Sequence, residues 1–452
     1  MADLHPTLAN PNVLYVPSQY PTIHDALAVA VAGDTIMVSS RVYNETNLVI
    51  TKDRLTLQGQ DKTSTIIDGQ NSANKIIIVQ ANNVVIQGFT IRNAGNQLTY
   101  TGYGVYVNSS DNALLKNNVF SGCSFSIRAE NSINVTVSSS SFLGDSGYQG
   151  SAGVYAHTSQ IGLITNNTFN ANHVGVYLIN GSTGFTIRNN TFSSSIFLGV
   201  NVANSPQNWV VKNTFRDNNS SIEIKQINGI YNRVIGNSLL RSQTAGLIIE
   251  SAQNNTIHHN NFVNNTQQVR FIGSALTNFW NTSSFAEGNY WSDYKGNDVN
   301  KDGIGDSPYT TIASGNTDFH PLIGPFTEFS VTYQGTPYNV YTISNSTIIG
   351  FSFSSVAKQI NFQVSDTAGT LGICRVVFPN VLVSFPYTVY VNGVSQAISP
   401  VFNGTHAALY FGYTHSGQPS NVIIVPEFPA MVIIAFLLML TLFAAILKKK
   451  KI

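Results

Sequence analysis

A short phrase of alternating apolar and polar residues recurs along the chain and ends each time in a large apolar residue. In its clearest copy, residues Phe185 to Phe192 read Phe-Thr-Ile-Arg-Asn-Asn-Thr-Phe. From the second copy onward the steps between ends are 27, 23, 23, 24 and 23 residues, and the ends are Phe120, Phe142, Phe169, Phe192, Phe215, Leu239 and Phe262. Such a period is typical of solenoids, in which similar coils stack into one continuous core.

An asparagine column accompanies the repeat, two places before each end. Its members are Asn118, Asn167, Asn190, Asn213, Asn237 and Asn260, with Ser140 as the exception. Asparagine tolerates the left-handed backbone region and hydrogen-bonds readily in turns. We therefore expect an asparagine at the same corner of every coil, with side-chain amides bonding from coil to coil.

A second phrase falls between the copies of the first. It reads Gly-Val-Tyr-Val from Gly104 to Val107, and its alternation predicts a short strand with one buried face. Two or three such strands and their polar corners fill each repeat, which leaves no room for a helix. The repeats therefore predict an all-β domain, namely a parallel β-helix. A short helix that starts after Thr22 would cap its open end.

The repeats resemble those of right-handed parallel β-helix proteins with the pectin-lyase-like fold, and within it the NosD-like group of surface and periplasmic proteins. The likeness covers residues 13–321. It bears on fold more than on activity, because this fold carries lyases, hydrolases, esterases, binding proteins and inert spikes. The NosD likeness also implies a copper-delivery accessory role, although the chain has only four methionines and no cluster of Met, His and Cys.

Charge is scarce in this sequence. Only 10% of the residues are charged, and the net charge is +1 including four lysines at the C-terminal end. Ordinary soluble domains carry about 25% charged residues. The sequence shows no basic patch of the kind that binds nucleic acid, so we expect no nucleic-acid partner.

The second phrase predicts an outward face on one sheet of the β-helix. If the valines point inward, residues one and three places later point outward. The candidate ligand-binding residues on this face are Tyr106, Arg128, Glu130, Tyr155, His157, Tyr177 and Glu223. Tyrosines interleaved with polar groups would suit the flat faces and hydroxyls of a glycan. The alternative interpretation is a solvated sheet face whose tyrosines only stabilise the fold.

Catalysis on this face stays an alternative. A glycoside hydrolase needs two carboxylates roughly 5–9.5 Å apart, whereas the acids near this face are scattered over different coils. A polysaccharide lyase would need a base and charge stabilisers, and the candidates for these roles are Arg128, His157, Lys225 and Arg270. The sequence singles out no catalytic set, so the catalytic residues remain unknown.

A calcium-binding loop is predicted near the end of the repeats. The segment from Asp298 to Asp306 matches Asp-x-Asn-x-Asp-Gly, the first half of an EF-hand-like loop. The predicted ligands of a structural Ca²⁺ are Asp298, Asn300, Asp302, Ile304 through its carbonyl, and Asp306. Position 12 is Tyr309 rather than Glu, so Asp306 is the shorter substitute, as in dockerin-like loops. The alternative is a turn without metal.

Sequons for N-glycosylation are abundant, as expected for an exported protein or, alternatively, for any Asn-, Ser- and Thr-rich repeat. The candidate sites are Asn44, Asn108, Asn134, Asn180, Asn281, Asn345 and Asn403.

After a linker at residues 322–327, the sequence of the C-terminal third no longer shows the repeat. About eight alternating segments within residues 328–425, with the hairpin turn Asn392-Gly393, predict an Ig-like β-sandwich that would act as a stalk. Residues 430–447 are 18 apolar residues followed by lysines, which predicts one transmembrane helix with a cytoplasmic tail.

The four residues before the apolar segment, Pro426, Glu427, Phe428 and Pro429, resemble the Pro-Glu-Phe type of archaeal sorting signal. That resemblance implies cleavage within residues 426–452 and a lipid anchor, whereas the alternative is a retained helix. Together the features predict an exported, membrane-tethered rod on the extracellular face of the cell membrane. We expect a non-catalytic glycan-binding or structural envelope component, whose partners are a cell-surface or environmental polysaccharide and other copies of itself.

Overall fold

The computed structural model of the chain describes residues 11–71, 75–95, 102–144, 151–282, 285–313 and 315–427. Two compact units are present. The first runs to Lys295 and resumes from Pro308 to Pro321, and the second comprises Gly296–Ser307 and the part from Leu322 onward. The predicted calcium loop therefore groups with the second unit rather than with the β-helix.

The first unit contains one helix, α1 (Ile23–Val29), among its described residues. Its strands in chain order are β1 (Val13–Val16), β2 (Thr35–Val38), β3 (Val42–Tyr43), β4 (Leu48–Ile50), β5 (Thr56–Gly59), β6 (Ile66–Asp68), β7 (Lys75–Val79), β8 (Val85–Gln87), β9 (Thr90–Arg92), β10 (Tyr103–Asn108), β11 (Leu114–Lys116), β12 (Val119–Ser121), β13 (Phe125–Glu130), β14 (Thr136–Ser138), β15 (Ser141–Leu143), β16 (Ala152–His157), β17 (Leu163–Thr165), β18 (Thr168–Asn170), β19 (Val174–Ile179), β20 (Thr186–Arg188), β21 (Thr191–Ser193), β22 (Leu198–Ala203), β23 (Trp209–Val211), β24 (Thr214–Arg216), β25 (Ser220–Lys225), β26 (Arg233–Ile235), β27 (Ser238–Leu240), β28 (Ala245–Glu250), β29 (Thr256–His258), β30 (Asn261–Val263), β31 (Gln267–Ile272), β32 (Tyr290–Trp291), β33 (Tyr309–Ala313) and β34 (Asn316–Asp318).

Strands β1 to β32 form three long parallel sheets, to each of which a complete coil contributes one strand, whereas β33 and β34 form a separate antiparallel pair. Two sheets have eleven strands and one has ten. The sheets are ordered β1-β2-β5-β8-β11-β14-β17-β20-β23-β26-β29, then β31-β28-β25-β22-β19-β16-β13-β10-β7-β4, and β3-β6-β9-β12-β15-β18-β21-β24-β27-β30-β32. This is a parallel β-solenoid of about 11 turns, and it confirms the fold predicted from the repeats. Its right-handedness stays a prediction.

The repeat ends lie in the core directly above one another. Phe142 partners Phe120 on one side and Phe169 on the other, and all three side chains are fully buried. Successive rings from Phe120 to Phe215 stack nearly parallel, with centroids 4.5 to 5.1 Å apart. One coil cannot shield such a ring by itself, so the stack explains why the repeat has to be continued.

The asparagine column bonds from coil to coil, as predicted. The backbone N–H of Asn190 donates to Asn213 Oδ1 at 3.0 Å, and Asn190 Nδ2 donates to the carbonyl of Ile164 at 2.8 Å. The left-handed residue, however, is one place earlier than we predicted, at Asn117, Ser139, Asn166, Asn189, Lys212, Gly236 and His259. The column residue has to point its amide inward, so its neighbour takes the positive φ of the corner.

Both ends of the solenoid core are covered within the first unit. At the start, Thr22 caps α1 by accepting a hydrogen bond from the Asp25 N–H, as predicted, and Ile23 is fully buried. At the other end the ring of Trp291 stacks between Phe262 and Tyr309, at 4.3 Å from each. These contacts protect apolar surface that an open-ended solenoid would expose.

The second unit contains an antiparallel sandwich. Its strands are β35 (Phe326–Tyr333), β36 (Thr336–Ser344), β37 (Thr347–Ser354), β38 (Gln359–Ser365), β39 (Leu371–Pro379), β40 (Tyr387–Val391), β41 (Val394–Gln396), β42 (Ser399–Phe402), β43 (His406–Thr414) and β44 (Ser420–Pro426). One five-stranded sheet is ordered β35-β36-β39-β43-β42 and the other β37-β38-β44-β40-β41.

A single apolar core joins the two sheets of the sandwich. It contains Val376 and Leu409 from the first sheet, and Phe362, Val389 and Ile424 from the second. The sequence predicted about eight strands, and the structure has ten. The Ig-like class remains a prediction.

The predicted anchor is not described by the structure. Among the described residues, no helix combines the length and apolar character required to cross a bilayer. The segment 430–447 lies outside the described residues, as do Phe428 and Pro429 of the proposed sorting motif. Pro426 and Glu427 lie at the end of β44, where the Glu427 N–H donates to the Pro386 carbonyl at 2.6 Å.

Candidate functional site

The outer side of the ten-stranded sheet carries all the predicted ligand-binding residues. The adjacent strands β10, β13, β16 and β19 place one outward column in register, composed of Tyr106, Arg128, Tyr155 and Tyr177. The neighbouring Val105 and Val107 point inward and are fully buried. Glu130 and His157 are register partners two residues further along their strands. Alternation along each strand and stacking between coils therefore bring these side chains to one surface.

Glu130 connects the polar members of this surface. Tyr106 Oη donates to Glu130 Oε2 at 2.9 Å. Arg128 donates to the same oxygen from Nε at 3.2 Å, and its Nη2 lies 3.1 Å away. His157 Nδ1 lies 3.7 Å from the other carboxylate oxygen. These contacts tie three strands together through one half-buried carboxylate.

The same contacts shift two acid–base equilibria. Burial alone would raise the pKa of Glu130, but the hydrogen bond from Tyr106 and the charge of Arg128 bring that pKa below its usual value. Burial, followed by the hydrogen bond to Glu130, raises the pKa of Tyr106 to about 12. At neutral pH the pair is therefore a carboxylate that accepts and a phenol that donates.

His157 is held by two further side chains. Asn180 Nδ2 lies 3.0 Å from His157 Nε2, and Thr158 Oγ1 lies 3.0 Å from Nδ1. Because an amide N–H donates, Nε2 accepts and the ring proton belongs on Nδ1. The imidazole ring is thus oriented on the surface of the sheet.

Aromatic rings and cations alternate along the surface. The Arg128 guanidinium carbon lies 5.2 Å from the ring centroid of Tyr103 and 5.1 Å from that of Tyr155. Lys75 Nζ lies 4.3 Å above the Tyr106 ring. The rings of Tyr155 and Tyr177 meet edge to face at 5.5 Å. Such contacts are each worth about 0.5–2 kcal/mol and fix the rings in place.

Sequence reasoning missed Lys75 and Tyr103 on this surface. Tyr103 stands one place before the Gly-Val-Tyr-Val phrase, so extending the phrase by one residue would have included it. Lys75 starts β7, the preceding strand of the sheet, and is the register partner of Tyr103. Its coil has a different sequence, Lys-Ile-Ile-Ile-Val, which hid the correspondence.

Glu223 belongs to a second cluster on the same sheet. It lies on β25, two strands beyond Tyr177, and is only 4% exposed. Its Oε2 accepts from Asn201 Nδ2 at 3.0 Å and from Lys225 Nζ at 2.9 Å. Asn201 is 2% exposed, and its Oδ1 has no hydrogen-bond partner within the part of the chain that is described. The predicted residues are therefore divided between two groups. Tyr106, Arg128, Glu130, Tyr155, His157 and Tyr177 form what we call the tyrosine-rich cluster, and Glu223 forms an ion pair with Lys225.

The predicted calcium loop is stabilised by its own carboxylates. Asp298 accepts from the N–H groups of Asp302 and Gly303, each at 3.0 Å. Asp306 Oδ2 accepts from the Val299 N–H at 2.5 Å, and Asp302 Oδ1 accepts from the Ile304 N–H at 2.8 Å. Burial, with additional repulsion from the other two carboxylates, raises the pKa of Asp298.

The loop is also fixed to the sandwich of its own unit. Arg375 Nη1 donates to the Asp302 carbonyl at 2.6 Å. Asn300 Nδ2 donates to Asp302 Oδ2 at 3.2 Å. Within the described parts of residues 11–427, no three His, Cys, Asp or Glu side chains group closely enough to hold a metal ion.

The adjacent histidines His258, in β29, and His259, at the corner that follows, contact each other and a buried carboxylate. His259 Nε2 lies 3.0 Å from Glu287 Oε2, and Glu287 is fully buried. Burial, followed by the charges of His259 and Arg233, lowers the pKa of His258 to about 3. The two rings meet edge to face with centroids 4.8 Å apart. The pair is therefore part of the corner packing.

The candidate glycosylation sites differ in exposure. Asn44, Asn134, Asn180, Asn345 and Asn403 are exposed, whereas Asn108 and Asn281 are half-buried. Asn345 Nδ2 donates to the Leu371 carbonyl at 2.9 Å, so a glycan on this residue would displace a cross-strand hydrogen bond. Use of these sites remains a prediction.

A known protein family matches most of the β-solenoid. The family model described as "Periplasmic copper-binding protein (NosD)" matches residues 27–228 and 143–296, which together exceed half of the chain. The matched residues include the whole tyrosine-rich cluster.

Two curated relatives match a short part of the solenoid. Each is named "Probable ABC transporter binding protein NosD", one from Pseudomonas aeruginosa and one from Stutzerimonas stutzeri. Each is 38% identical over 82 residues, which is 18% of this chain. The match likewise spans only 18% of the length of each relative.

Solved structures with a similar backbone include a tailspike and carbohydrate-active enzymes. The Dettilon tailspike protein shares 13% identity with a TM-score of 0.47, covering 91% of this chain and 94% of its own. An alginate lyase from Paenibacillus sp. str. FPU-7 shares 10% identity with a TM-score of 0.44, covering 59% of this chain and 99% of its own. At identities and TM-scores this low, the resemblances bear on neither activity nor ligand.

Proposed function

Since the chain belongs to the family of periplasmic copper-binding proteins (NosD), we propose that it works outside the cytoplasmic membrane, as a non-catalytic β-helix protein that binds glycans in the cell envelope. The observation that carries the proposal is the tyrosine-rich cluster. On four adjacent strands, Tyr106, Arg128, Tyr155 and Tyr177 form one column whose geometry is fixed by neighbouring side chains.

The chemistry of this cluster suits a sugar chain. Tyrosine rings offer flat apolar surfaces against which the C–H faces of sugar rings pack, and Arg128, Glu130 and His157 offer donors and acceptors for hydroxyls. The Glu130 contacts hold these groups before any ligand arrives, which lowers the entropy lost on binding. A merely solvated sheet face needs no such fixed arrangement.

A glycan array probed with the full-length chain tests the proposal. We expect Tyr155→Ala and Tyr177→Ala each to weaken binding by about 5- to 30-fold, because each removes a stacking surface worth about 1–2 kcal/mol. Tyr15→Ala is a matched control, since Tyr15 is 49% exposed on a different sheet. If both cluster variants bind the same glycans as strongly as the wild type, the cluster is structural.

Copper delivery is the function that the family description suggests, but the described residues do not fit it. Copper sites use thiolate, thioether and imidazole ligands that converge on one centre. Cys123 is partly buried in the solenoid, and Cys374 is fully buried in the sandwich. His157 and His259 each face a carboxylate rather than a second soft ligand.

An enzymatic role on this face has one obstacle in the geometry. Glu130 and Glu223 lie on β13 and β25, four strands apart, which corresponds to about 19 Å. That distance exceeds the roughly 5–9.5 Å between the carboxylates of glycoside hydrolases. Glu250, on the strand next to that of Glu223, is the other acid on this sheet that could pair with Glu223 in a hydrolase. Release of reducing ends from a polysaccharide panel, lost in Glu223→Gln, would favour a hydrolase over our proposal.

We further propose that the loop Asp298 to Asp306 binds a structural Ca²⁺. Three carboxylates in nine residues supply hard oxygen ligands, and a cation would relieve their mutual repulsion, which adds to burial in raising the pKa of Asp298. Binding requires these carboxylates to leave the backbone amides they now accept from. Titration calorimetry should show Ca²⁺ binding that Asp298→Asn abolishes; no heat at millimolar Ca²⁺ would exclude the site.

Anchoring through residues 430–447 is the last part of the proposal, and the length and apolar composition of this segment support it. The segment is either cleaved off at the sorting motif Pro426 to Pro429 or retained as a helix. Mass spectrometry of protein isolated from membranes distinguishes the two. Peptides that cover Phe436 in the surface-exposed protein would reject cleavage and favour a retained helix.

A further inference from the structure

One sheet of the sandwich lacks charge altogether. The five strands β37, β38, β40, β41 and β44 contain no Asp, Glu, Lys, Arg or His. The other sheet carries Glu328 on β35, Arg375 on β39 and His406 on β43. Typical soluble domains contain about 25% charged residues. Even in a chain with 10% charged residues, a whole sheet without charge is therefore a feature to explain.

The outer side of this sheet is lined with side-chain amides. Along β38, Ile360, Phe362 and Val364 face the core and are at most 2% exposed. The alternate residues Gln359, Asn361 and Gln363 face outward and are partly exposed. On the neighbouring strand β44, Asn421 and Ile423 face outward and are register partners of Gln363 and Asn361.

A groove of about 380 Å³ lies on this side. Its lining includes Gly350, Asn361, Gln363, Asn421 and Ile423. The register between β37 and β38 shifts between Ile349 and Ser352, which marks a bulge. Gly350 lies in this bulge with φ +62°, and a Cβ placed on it would meet no atom within 4 Å. The bulge and the missing side chain together leave the groove open.

The amides that line the groove are oriented by each other. Gln363 Nε2 donates to Asn421 Oδ1 at 2.9 Å, and the backbone N–H of Asn421 donates to the side-chain Oδ1 of Asn392 at 2.8 Å. Gln359 Nε2 donates to Asn361 Oδ1. A primary amide can make about four hydrogen bonds, so each of these groups keeps donors and acceptors for a ligand.

An apolar strip borders the amides. Ile423 lines the groove, and Tyr390 on β40 is its register partner on the other side of β44. Tyr390 faces outward and is partly exposed, since its neighbours Val389 and Val391 face the core. Amides and an apolar strip therefore run side by side across three adjacent strands.

We propose that this groove binds an uncharged oligosaccharide. Hydroxyl groups both donate and accept, and so match oriented amides, while the C–H faces of sugar rings match Ile423 and Tyr390. A surface without charge offers nothing to pair with a carboxylate or sulfate, so a charged glycan would lose solvation on binding without compensation. The site is independent of the tyrosine-rich cluster, because every residue of it lies in the second unit.

The test uses the full-length chain and four neutral probes, namely maltohexaose, cellohexaose, mannohexaose and xylohexaose, with oligogalacturonate as the charged probe. We expect binding of at least one neutral probe in titrations to about 10 mM. The double variant Gln363→Ala/Asn421→Ala should weaken it by roughly tenfold, since each hydrogen bond contributes a factor of about 2–12. Gly350→Asn should also weaken it, because asparagine tolerates positive φ and fills the groove.

Gln396→Ala is the matched control, since Gln396 is an amide residue on the edge strand β41 of the same sheet. Circular dichroism confirms that each variant is folded. The proposal is overturned if no neutral probe binds, if oligogalacturonate binds more tightly, or if Gln396→Ala loses as much affinity as the groove variants. Tyr155→Ala separates the two sites: if it abolishes binding of the neutral probes while the groove variants keep it, the tyrosine-rich cluster is the site and the groove is not.

Discussion

The asparagine column provides the sharpest test of how the solenoid is held together. Asn213 is 1% exposed, and its side chain takes part in four hydrogen bonds. Nδ2 donates to the Ile187 carbonyl at 2.8 Å and to Asn237 Oδ1 at 3.0 Å. Oδ1 accepts from the backbone N–H and from the Nδ2 of Asn190, both at 3.0 Å. One side chain therefore connects three consecutive coils.

Replacing Asn213 by alanine leaves two backbone groups without partners. The Ile187 carbonyl and the Asn190 N–H lie in the interior, and the side chains that could replace Asn213 are already bonded to other coils. A buried polar group left unpaired costs about 1–3 kcal/mol, so we expect Asn213→Ala to destabilise the chain by about 2–6 kcal/mol. The loss should be local, because each coil of a solenoid contacts only its neighbours.

Urea denaturation with hydrogen exchange measured by mass spectrometry checks this prediction. Peptides that cover β20 to β24 should exchange faster in Asn213→Ala, while peptides of the sandwich should not change. Asn170→Ala is the matched control, because Asn170 is exposed next to Phe169 in β18 and its Oδ1 accepts from Ser193 Oγ at the surface. We expect that variant to change stability by no more than about 0.5 kcal/mol. Equal effects of the two variants would refute a structural role for the buried column.

The shifted pKa values lead to three further predictions. Burial raises the pKa of the thiol of the partly exposed Cys123 to about 12 and raises that of the fully buried Cys374 as well. At pH 8 both thiols should therefore react with Ellman's reagent much more slowly in the native chain than in the unfolded chain; equally rapid reaction of the native protein would contradict this. The pKa of His258 is lowered to about 3, so its imidazole should stay neutral in NMR spectra at pH 5, and the stability it contributes should fall as pH drops below the unfolded value of about 6.5. The pKa of Glu130 is lowered too, so its contribution is present above the unfolded value of about 4.3 and is lost as pH falls through the folded one; Glu130→Gln should remove this acid-dependent part of the unfolding free energy.

Much of the solenoid could be predicted because the same residue type recurs at the same position of each coil. Phe142, Phe169 and Phe192 are spaced by one coil each, and a parallel register then places them directly above one another. The same reasoning placed Tyr155 beside Tyr177. Periodicity predicts such contacts because one coil length fixes every partner along a column.

A second asparagine column escaped the sequence reasoning. Asn208, Asn232 and Asn255 are fully buried at another corner, and the backbone N–H of each donates to the Oδ1 of the next asparagine, at 2.8 to 3.0 Å. The residues before them, Gln207, Tyr231 and Asn254, share no residue type, so no phrase repeats there. The constant spacing of 23 or 24 residues was the available signal.

The placement of the calcium loop could not be predicted from the sequence. The sequence attaches residues 296–307 to the last coil, whereas the structure groups them with the sandwich. One contact with the sandwich joins Arg375 Nη1 to the Asp302 carbonyl across 73 positions. No period relates these two residues, so only the three-dimensional packing reveals their proximity.

The hydrogen bonds of the two acidic side chains Glu130 and Glu223 on the ten-stranded sheet also limit the chemistry of its outer surface. Glu130 Oε2 receives donors from Tyr106 and Arg128, and Glu223 Oε2 receives donors from Asn201 and Lys225. A general base or nucleophile needs a lone pair directed at the substrate and a pKa near the working pH. Glu130 has its pKa lowered and one oxygen committed, so it serves better to orient its neighbours than to take a proton. These contacts favour a surface that holds a glycan over one that cleaves it.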